Sequence, residues 1–272
     1  MIPERDDGAL EALTRKISQA RGVSCDAYKD KCLRRRLAVR MRARGVHTFE
    51  AYGRVLDEDA GEYDLLLDAL TINVTKFWRN PETWQALVHP HLTALWRERR
   101  GAMRVWSAGC ASGEEPYTLA VALAEVARLA PDAGRLDWAR IDATDIDRDS
   151  LARVTAAEFP DASFVEMPPE LTQRYFTPPP RRPLPALQRL VRVRRHDLTR
   201  DPPPDPPYDL IACRNVVIYF GRATQERLFT TFADALAPGG MLLLGKVETL
   251  FGPARGRLTL VDPRERIYRA PA

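Results

Sequence analysis

Between residues 9 and about 98, apolar positions recur at spacings of three and four, as in Leu33, Leu37 and Met41 and in Leu65, Leu66, Leu67 and Leu70. That period predicts helices, and no alternating strand pattern interrupts it. At Gly101 the texture changes. Short apolar runs, Met103 to Ser107, Arg140 to Thr144, Leu190 to Val193, Leu210 to Cys213 and Met241 to Gly245, begin to alternate with helical stretches. Strands alternating with helices predict a mostly parallel sheet covered on both faces. Two late runs, Leu258 to Val261 and Ile267 to Arg269, flank the turn-like Asp262-Pro-Arg-Glu265 and predict an antiparallel hairpin closing the sheet's edge. Prolines crowd between Phe159 and Tyr208, with triplets at 178–180 and 202–204, which excludes long helices there and reads as an insertion plus a stiff connection.

The sharpest chemical signal is Arg104-Val-Trp-Ser-Ala-Gly-Cys-Ala-Ser-Gly-Glu-Glu-Pro-Tyr117, followed by an alanine- and leucine-rich stretch to Ala130. It reads as strand, glycine turn and helix, with Gly109 and Gly113 free to take backbone angles closed to other residues and Pro116 suited to a first helical turn. The helix start offers N–H groups to a polar ligand. Neither the dinucleotide fingerprint nor the phosphate loop is present, and Glu114 and Glu115 would repel a pyrophosphate. A cationic or zwitterionic ligand such as S-adenosylmethionine fits better; the bland account is that the glutamates only favour the helix dipole.

The second strand ends in Ala143-Thr-Asp-Ile-Asp147, where Asp145 is placed to accept two ribose hydroxyls, while Asp147 reads as a helix cap. Cys213-Arg-Asn-Val-Val-Ile-Tyr-Phe220 reads as an apolar strand interrupted by polar Arg214 and Asn215 at the ligand-binding end of the sheet. Tyr219 there either donates into the site or is a half-buried core aromatic. Before the sheet, Thr71, Asn73, Thr75 and Arg79 cluster more side-chain donors than one helix cap needs.

Charge and composition narrow the picture. The 272 residues carry 41 basic and 37 acidic side chains, a net of +4 that does not by itself imply nucleic acid. Its local form matters more: Tyr28 to Arg44 holds Lys29, Lys31, Arg34, Arg35, Arg36, Arg40, Arg42 and Arg44 against Asp30 alone, on a helix whose buried stripe is Leu33, Leu37 and Met41. It lacks the aromatic interleaving of a nucleic-acid surface, and reads either as a solvated face or as a dock for an acidic partner. Four scattered cysteines without a CxxC pair fit a reducing compartment and give no zinc site; His89 and His91 flank Pro90, and no metal is expected. No apolar run long enough to span a membrane is present, and a soluble, cytoplasmic protein is expected.

Taken together, Asn73-Val-Thr-Lys-Phe-Trp-Arg79, Val105 to Tyr117, Ala143 to Asp147, Cys213 to Phe220 and Leu236-Ala-Pro-Gly-Gly240 closely resemble the CheR family of chemotaxis receptor methyltransferases, in the family's order. The resemblance implies an α/β fold: a Rossmann-like methyltransferase sheet over 81–272, an N-terminal all-helical domain over 1–80 and a small inserted β-subdomain over 159–195. It implies a protein-glutamate O-methyltransferase that moves the methyl of S-adenosylmethionine to glutamates of methyl-accepting chemoreceptor cytoplasmic domains, leaving S-adenosylhomocysteine. By position, Asn73, Thr75, Arg79, one of Glu114 and Glu115, Asp145, Asp197, Leu198, Asn215 and Val216 are then cofactor contacts. Arg79 and Tyr219 match the residues nearest the transferred methyl, and Arg79 holds either the substrate carboxylate or the cofactor's own. The basic helix, through Arg34, Arg35, Arg36 and Arg40, becomes the receptor dock. Some family members also tether a receptor C-terminal peptide on the β-subdomain by strand addition; the proline-rich centre, Thr177 to Pro185, is a poor partner for that pairing. Two other readings are a methyltransferase acting on a small carboxylate or RNA, and a catalytically silent cofactor-sensing scaffold.

Overall fold

The computed structural model describes residues 7–21, 24–70 and 75–272. By internal contacts the chain divides into two compact units, Met1–Asn73 with Tyr219–Gln225, and Val74–Ile218 with Glu226–Ala272.

The first unit is helical: α1 Asp7–Arg21, α2 Asp30–Ala43, α3 Phe49–Glu58 and α4 Ala60–Leu70. Leu33, Leu37 and Met41 of α2 are buried as their spacing predicts, as are Leu66 and Leu70 of α4, whereas Leu65 is exposed. Thr48 caps α3 by accepting the Ala51 N–H at 3.1 Å. One carboxylate is drawn fully inside: Glu62, at 0% exposure, accepts both Arg40 Nε and Nη2 at 2.9 and 2.8 Å and the Tyr52 hydroxyl at 2.7 Å.

In the second unit, α5 Pro81–Ala86 and α6 Thr93–Arg99 are separated by an irregular segment around Pro90 and precede β1 Arg104–Ala108. Then follow α7 Glu114–Leu129, β2 Arg140–Asp145, α8 Arg148–Ala156, α9 Pro169–Tyr175, α10 Pro185–Gln188, β3 Val191–Arg195, β4 Tyr208–Cys213, α11 Arg222–Ala235, whose first turn counts with the first unit, β5 Leu236–Leu244, β6 Thr259–Asp262 and β7 Ile267–Arg269. The sheet order is β3-β2-β1-β4-β5-β7-β6. All pairs are parallel except those of β7, which runs antiparallel to both β5 and β6, as the predicted edge hairpin requires. Strand order reverses between β1 and β4, which places the ligand crevice at their C-terminal ends. Trp106 of β1 anchors one face, stacked 5.4 Å from Tyr208 and edge-on to Phe232 at 5.6 Å, with its indole N–H donated to Thr144 Oγ1 at 2.9 Å.

Two sequence expectations are corrected. The segment 159–195 is not an inserted β-subdomain: its last five residues are β3 of the main sheet, and the rest is α9, α10 and a short 3-10 turn, with only isolated bridges at Phe159–Arg181 and Phe176–Pro183. Prolines at 178–180, 183 and 185 deny the segment the N–H groups that a strand ladder needs. Nor does a strand run through Cys213–Phe220: β4 stops at Cys213, Asn215 takes a left-handed φ of 60°, and Val217–Tyr219 is a 3-10 turn. Among the described residues no helix is long and apolar enough to cross a membrane, and no cluster of His, Cys, Asp and Glu could hold a metal ion.

Candidate active site

The turn after β1 is shaped by three neighbours. Gly109 has φ of 84°, and a Cβ there would lie 2.6 Å from Val216 Cγ2, so glycine is required both for the backbone angle and for the approach of the β4 loop. Gly109 and Cys110 both donate their N–H to the Thr144 carbonyl at 2.9 Å, pinning the turn to the end of β2. Asp145, next along, accepts the Ala111 N–H at 2.9 Å on one carboxylate oxygen and the Asp147 N–H at 3.0 Å on the other. Each oxygen keeps a second lone pair for a ligand hydroxyl. Burial pushes the Asp145 carboxyl upward, partly offset by those N–H groups. Asp147 caps α8 through the N–H groups of Asp149 and Ser150, as its position after the strand predicts.

The paired glutamates part company. Glu114, buried, is occupied at both oxygens by the hydroxyls of Ser112 at 2.7 Å and Ser163 at 3.1 Å. Glu115 accepts Ser107 Oγ at 2.8 Å, and burial raises its carboxyl while Arg214 and Arg79 draw it down. It is the glutamate that faces the charged groups of the crevice.

Arg79 sits in a contorted turn in which Trp78 and Asn80 both take positive φ, 59° and 61°. Such backbone costs of order 1–3 kcal/mol per residue and persists only where neighbours enforce it. Here they do: the Arg79 carbonyl accepts Trp84 Nε1 at 3.0 Å and Arg214 Nη2 at 2.9 Å, the Trp78 N–H goes to Thr118 Oγ1 and the Asn80 N–H to Glu166. Arg214 itself is buried over the Trp84 ring, 5.1 Å from its centroid, and also reaches Asn80 Oδ1 at 3.1 Å.

β3 delivers the remaining acid. The His196 N–H donates to the Asp145 carbonyl at 2.9 Å, which brings Asp197 and half-buried Leu198 beside the end of β2. Asp197 Oδ1 accepts the Thr199 N–H and hydroxyl at 2.8 and 2.7 Å. Its Oδ2, and Oδ1 of Asn215, are buried without a hydrogen-bond partner among the described residues. Buried acceptors left without donors are costly, so these two positions suit ligand groups that bring N–H or O–H, while Arg214 Nε, also buried without a partner among the described residues, suits an acceptor. A nucleoside joined to an amino acid brings both donors and a carboxylate, and S-adenosylmethionine fits these residues.

The second unit thus brings together Arg79, Glu115, Asp145, Asp197, Leu198, Asn215 and Val216, with half-buried Thr75 in the loop leading to Arg79. Asn73 and Thr71 lie outside the described residues. Tyr219 belongs to the first unit, where its carbonyl accepts the Lys29 N–H at 2.9 Å. Sequence reading missed Glu248, whose buried carboxylate accepts the N–H groups of Asn215, Gly245 and Ile218. Its one sequence signal, an acid three residues after the glycine that ends an apolar strand, is too common to stand out.

Comparison with known proteins agrees with this geometry. The family model described as CheR methyltransferase, SAM binding domain, matches residues 73–265, and the one described as CheR methyltransferase, all-alpha domain, matches residues 8–71. A chemotaxis protein methyltransferase of Listeria monocytogenes is 33% identical over 256 residues, covering 93% of this chain and 94% of its own. That of Escherichia coli K12 is 32% identical over 267 residues, covering 93% and 88%. With both domain models matched in order across most of its length, the chain belongs to the CheR methyltransferase family.

Proposed function

We infer that the protein transfers the methyl group of S-adenosylmethionine to glutamate carboxylates of chemoreceptor cytoplasmic domains, forming glutamyl methyl esters and S-adenosylhomocysteine. The observation that carries this reading is the crevice at the C-terminal ends of β1, β2 and β4, with the buried acceptors of Asp197 and Asn215, in a chain of this family. We place the protein in the cytoplasm, where those receptor domains lie.

The bound cofactor supplies an electrophilic methyl on a positively charged sulfur. Asp145 would take the ribose hydroxyls, Asp197 and Leu198 the base, and Glu115, Asn215 and Val216 the amino-acid end, with Thr75 as a further contact. Glu114, spent on two seryl hydroxyls, holds the turn in shape instead. A glutamate nucleophile has an ordinary pKa of about 4.3 and is already ionised at neutral pH, so the chain needs no general base. Its task is alignment, which supplies roughly 7 kcal/mol or more when reacting atoms are held in line. We assign that task to Arg79. The Arg79 carbonyl accepts from Trp84 and Arg214, which fixes where the residue stands, and we assign its guanidinium to a carboxylate of substrate or cofactor.

Receptor docking falls to a narrower face of α2 than its arginine count predicts. Arg34 is paired with Asp7 and Asp30, Arg36 donates to the Ala69 carbonyl at 2.9 Å and Arg40 is held by Glu62. Lys31, Arg35 and Arg42 are exposed and share one side of the helix with exposed Val39. We assign the acidic receptor helix to that face. Docking proceeds without a tethered receptor peptide: 159–190 offers isolated bridges and no edge strand onto which a peptide could add. Incubation with methyl-labelled S-adenosylmethionine and receptor cytoplasmic fragments tests the function; base-labile label on receptor glutamates is expected, and label in RNA or none on receptor would contradict it.

A further inference from the structure

Glu248 stands four residues past β5, in a turn closed by its own N–H donating to the Gly245 carbonyl at 2.9 Å. The turn folds the carboxylate back under the loop that leaves β4. One oxygen accepts the Gly245 N–H at 2.7 Å and the Asn215 N–H at 2.9 Å, and the other the Ile218 N–H at 3.3 Å. At 2% exposure the group is out of reach of water, and its bonds go to backbone rather than to a balancing side chain. Gly245 is what lets the strands come so near: a Cβ there would stand 2.7 Å from Glu248 Oε2 and 2.9 Å from the Asn215 nitrogen.

The loop held in this way is the one whose geometry the site depends on. Asn215 is kept in a left-handed conformation with its side-chain oxygen buried and without a partner among the described residues, and Val216 is pressed against Gly109 of the β1 turn. A carboxylate with two acceptor oxygens is the only side-chain group that can collect several converging N–H groups and contribute no donor of its own. An amide of the same shape would turn one set of bonds into N–H against N–H.

We propose that Glu248 is a positioning residue for the cofactor: by gripping the backbone of 215–218 it presents Asn215 and Val216 to S-adenosylmethionine without touching the cofactor itself. The inference rests on the cofactor reading above. Its test uses the full chain and two variants, Glu248→Gln, which keeps the volume, and Gly245→Ala, which drives a methyl group into the carboxylate. S-adenosylhomocysteine is titrated calorimetrically into each, and initial rates are measured with a receptor cytoplasmic fragment. In both variants the Kd for S-adenosylhomocysteine and the KM for S-adenosylmethionine should rise roughly tenfold or more, with kcat at saturating cofactor and the receptor KM within about threefold of wild type. An unchanged Kd in a folded variant, a fall confined to kcat, or failure of both variants to fold would overturn the assignment and leave Glu248 a support of the fold alone. Failure of the wild-type protein to bind S-adenosylhomocysteine would instead remove the cofactor reading itself.

Discussion

Glu62 and Glu248 are both carboxylates taken almost wholly out of water, one in each unit, and they are satisfied by opposite means. Glu62 is met by side chains, Arg40 and Tyr52, that come from two other helices. Burial alone would raise its carboxyl, but those partners outweigh it and the net shift is downward. Glu248 is met by backbone N–H groups from two neighbouring loops, burial dominates, and its net shift is upward. The first arrangement ties helices together and serves stability. The second fixes the path of a loop and serves the site. Buried charge alone therefore says nothing about function; the partner's identity does.

Removing a partner from Glu62 should give the largest effect on stability. Arg40→Ala leaves a buried carboxylate with only the more distant Arg44, 3.8 Å away, and should cost about 3 kcal/mol, read by urea unfolding, with methylation per folded molecule unchanged. Unchanged stability with impaired receptor binding would return Arg40 to the docking face. Next comes the site itself: Arg79→Ala should cut kcat roughly 100-fold, a larger effect on turnover than on the urea midpoint, since the backbone bonds of its carbonyl survive the substitution. Normal turnover would remove Arg79 from the mechanism.

Acid sharpens the comparison further. A carboxylate whose folded pKa is depressed contributes stability that is complete above its unfolded value and is lost as pH falls through the folded one. Protection of α2 and α4 amides in hydrogen exchange should therefore decline below about pH 4.3, and Glu62→Gln should flatten that decline. Glu125 carries the same sign in the second unit, where Arg128, Tyr175 and Arg174 overcome burial to hold it at about 2. The smallest effect is expected on the exposed face of α2: Arg35→Glu should slow methylation about fivefold at low salt, flatten its salt dependence and leave stability within about 0.5 kcal/mol.

The seven strands and the edge hairpin were legible because short apolar runs are punctuated by Gly and Pro, and the Asp147 cap because its partners lie two and three residues further on. Illegible features needed the fold to bring distant residues together. Asn215 and Glu248 are 33 positions apart, Arg40 and Glu62 are 22 apart, and neither acid differs in its local sequence from a solvated one. Val216 to Phe220 has the composition of a strand; the left-handed Asn215, held by that remote carboxylate, turns it into a loop. The arginines of α2 look alike along the chain and are sorted into structural and exposed ones only by what α4 and its neighbours place opposite them.

The most direct check of the central claim is calorimetric titration of the full chain with S-adenosylmethionine, S-adenosylhomocysteine and ATP. Saturable one-to-one binding of the first two, with no competition from ATP, is predicted. Preferential binding of ATP would contradict a crevice built for a cationic, phosphate-free ligand.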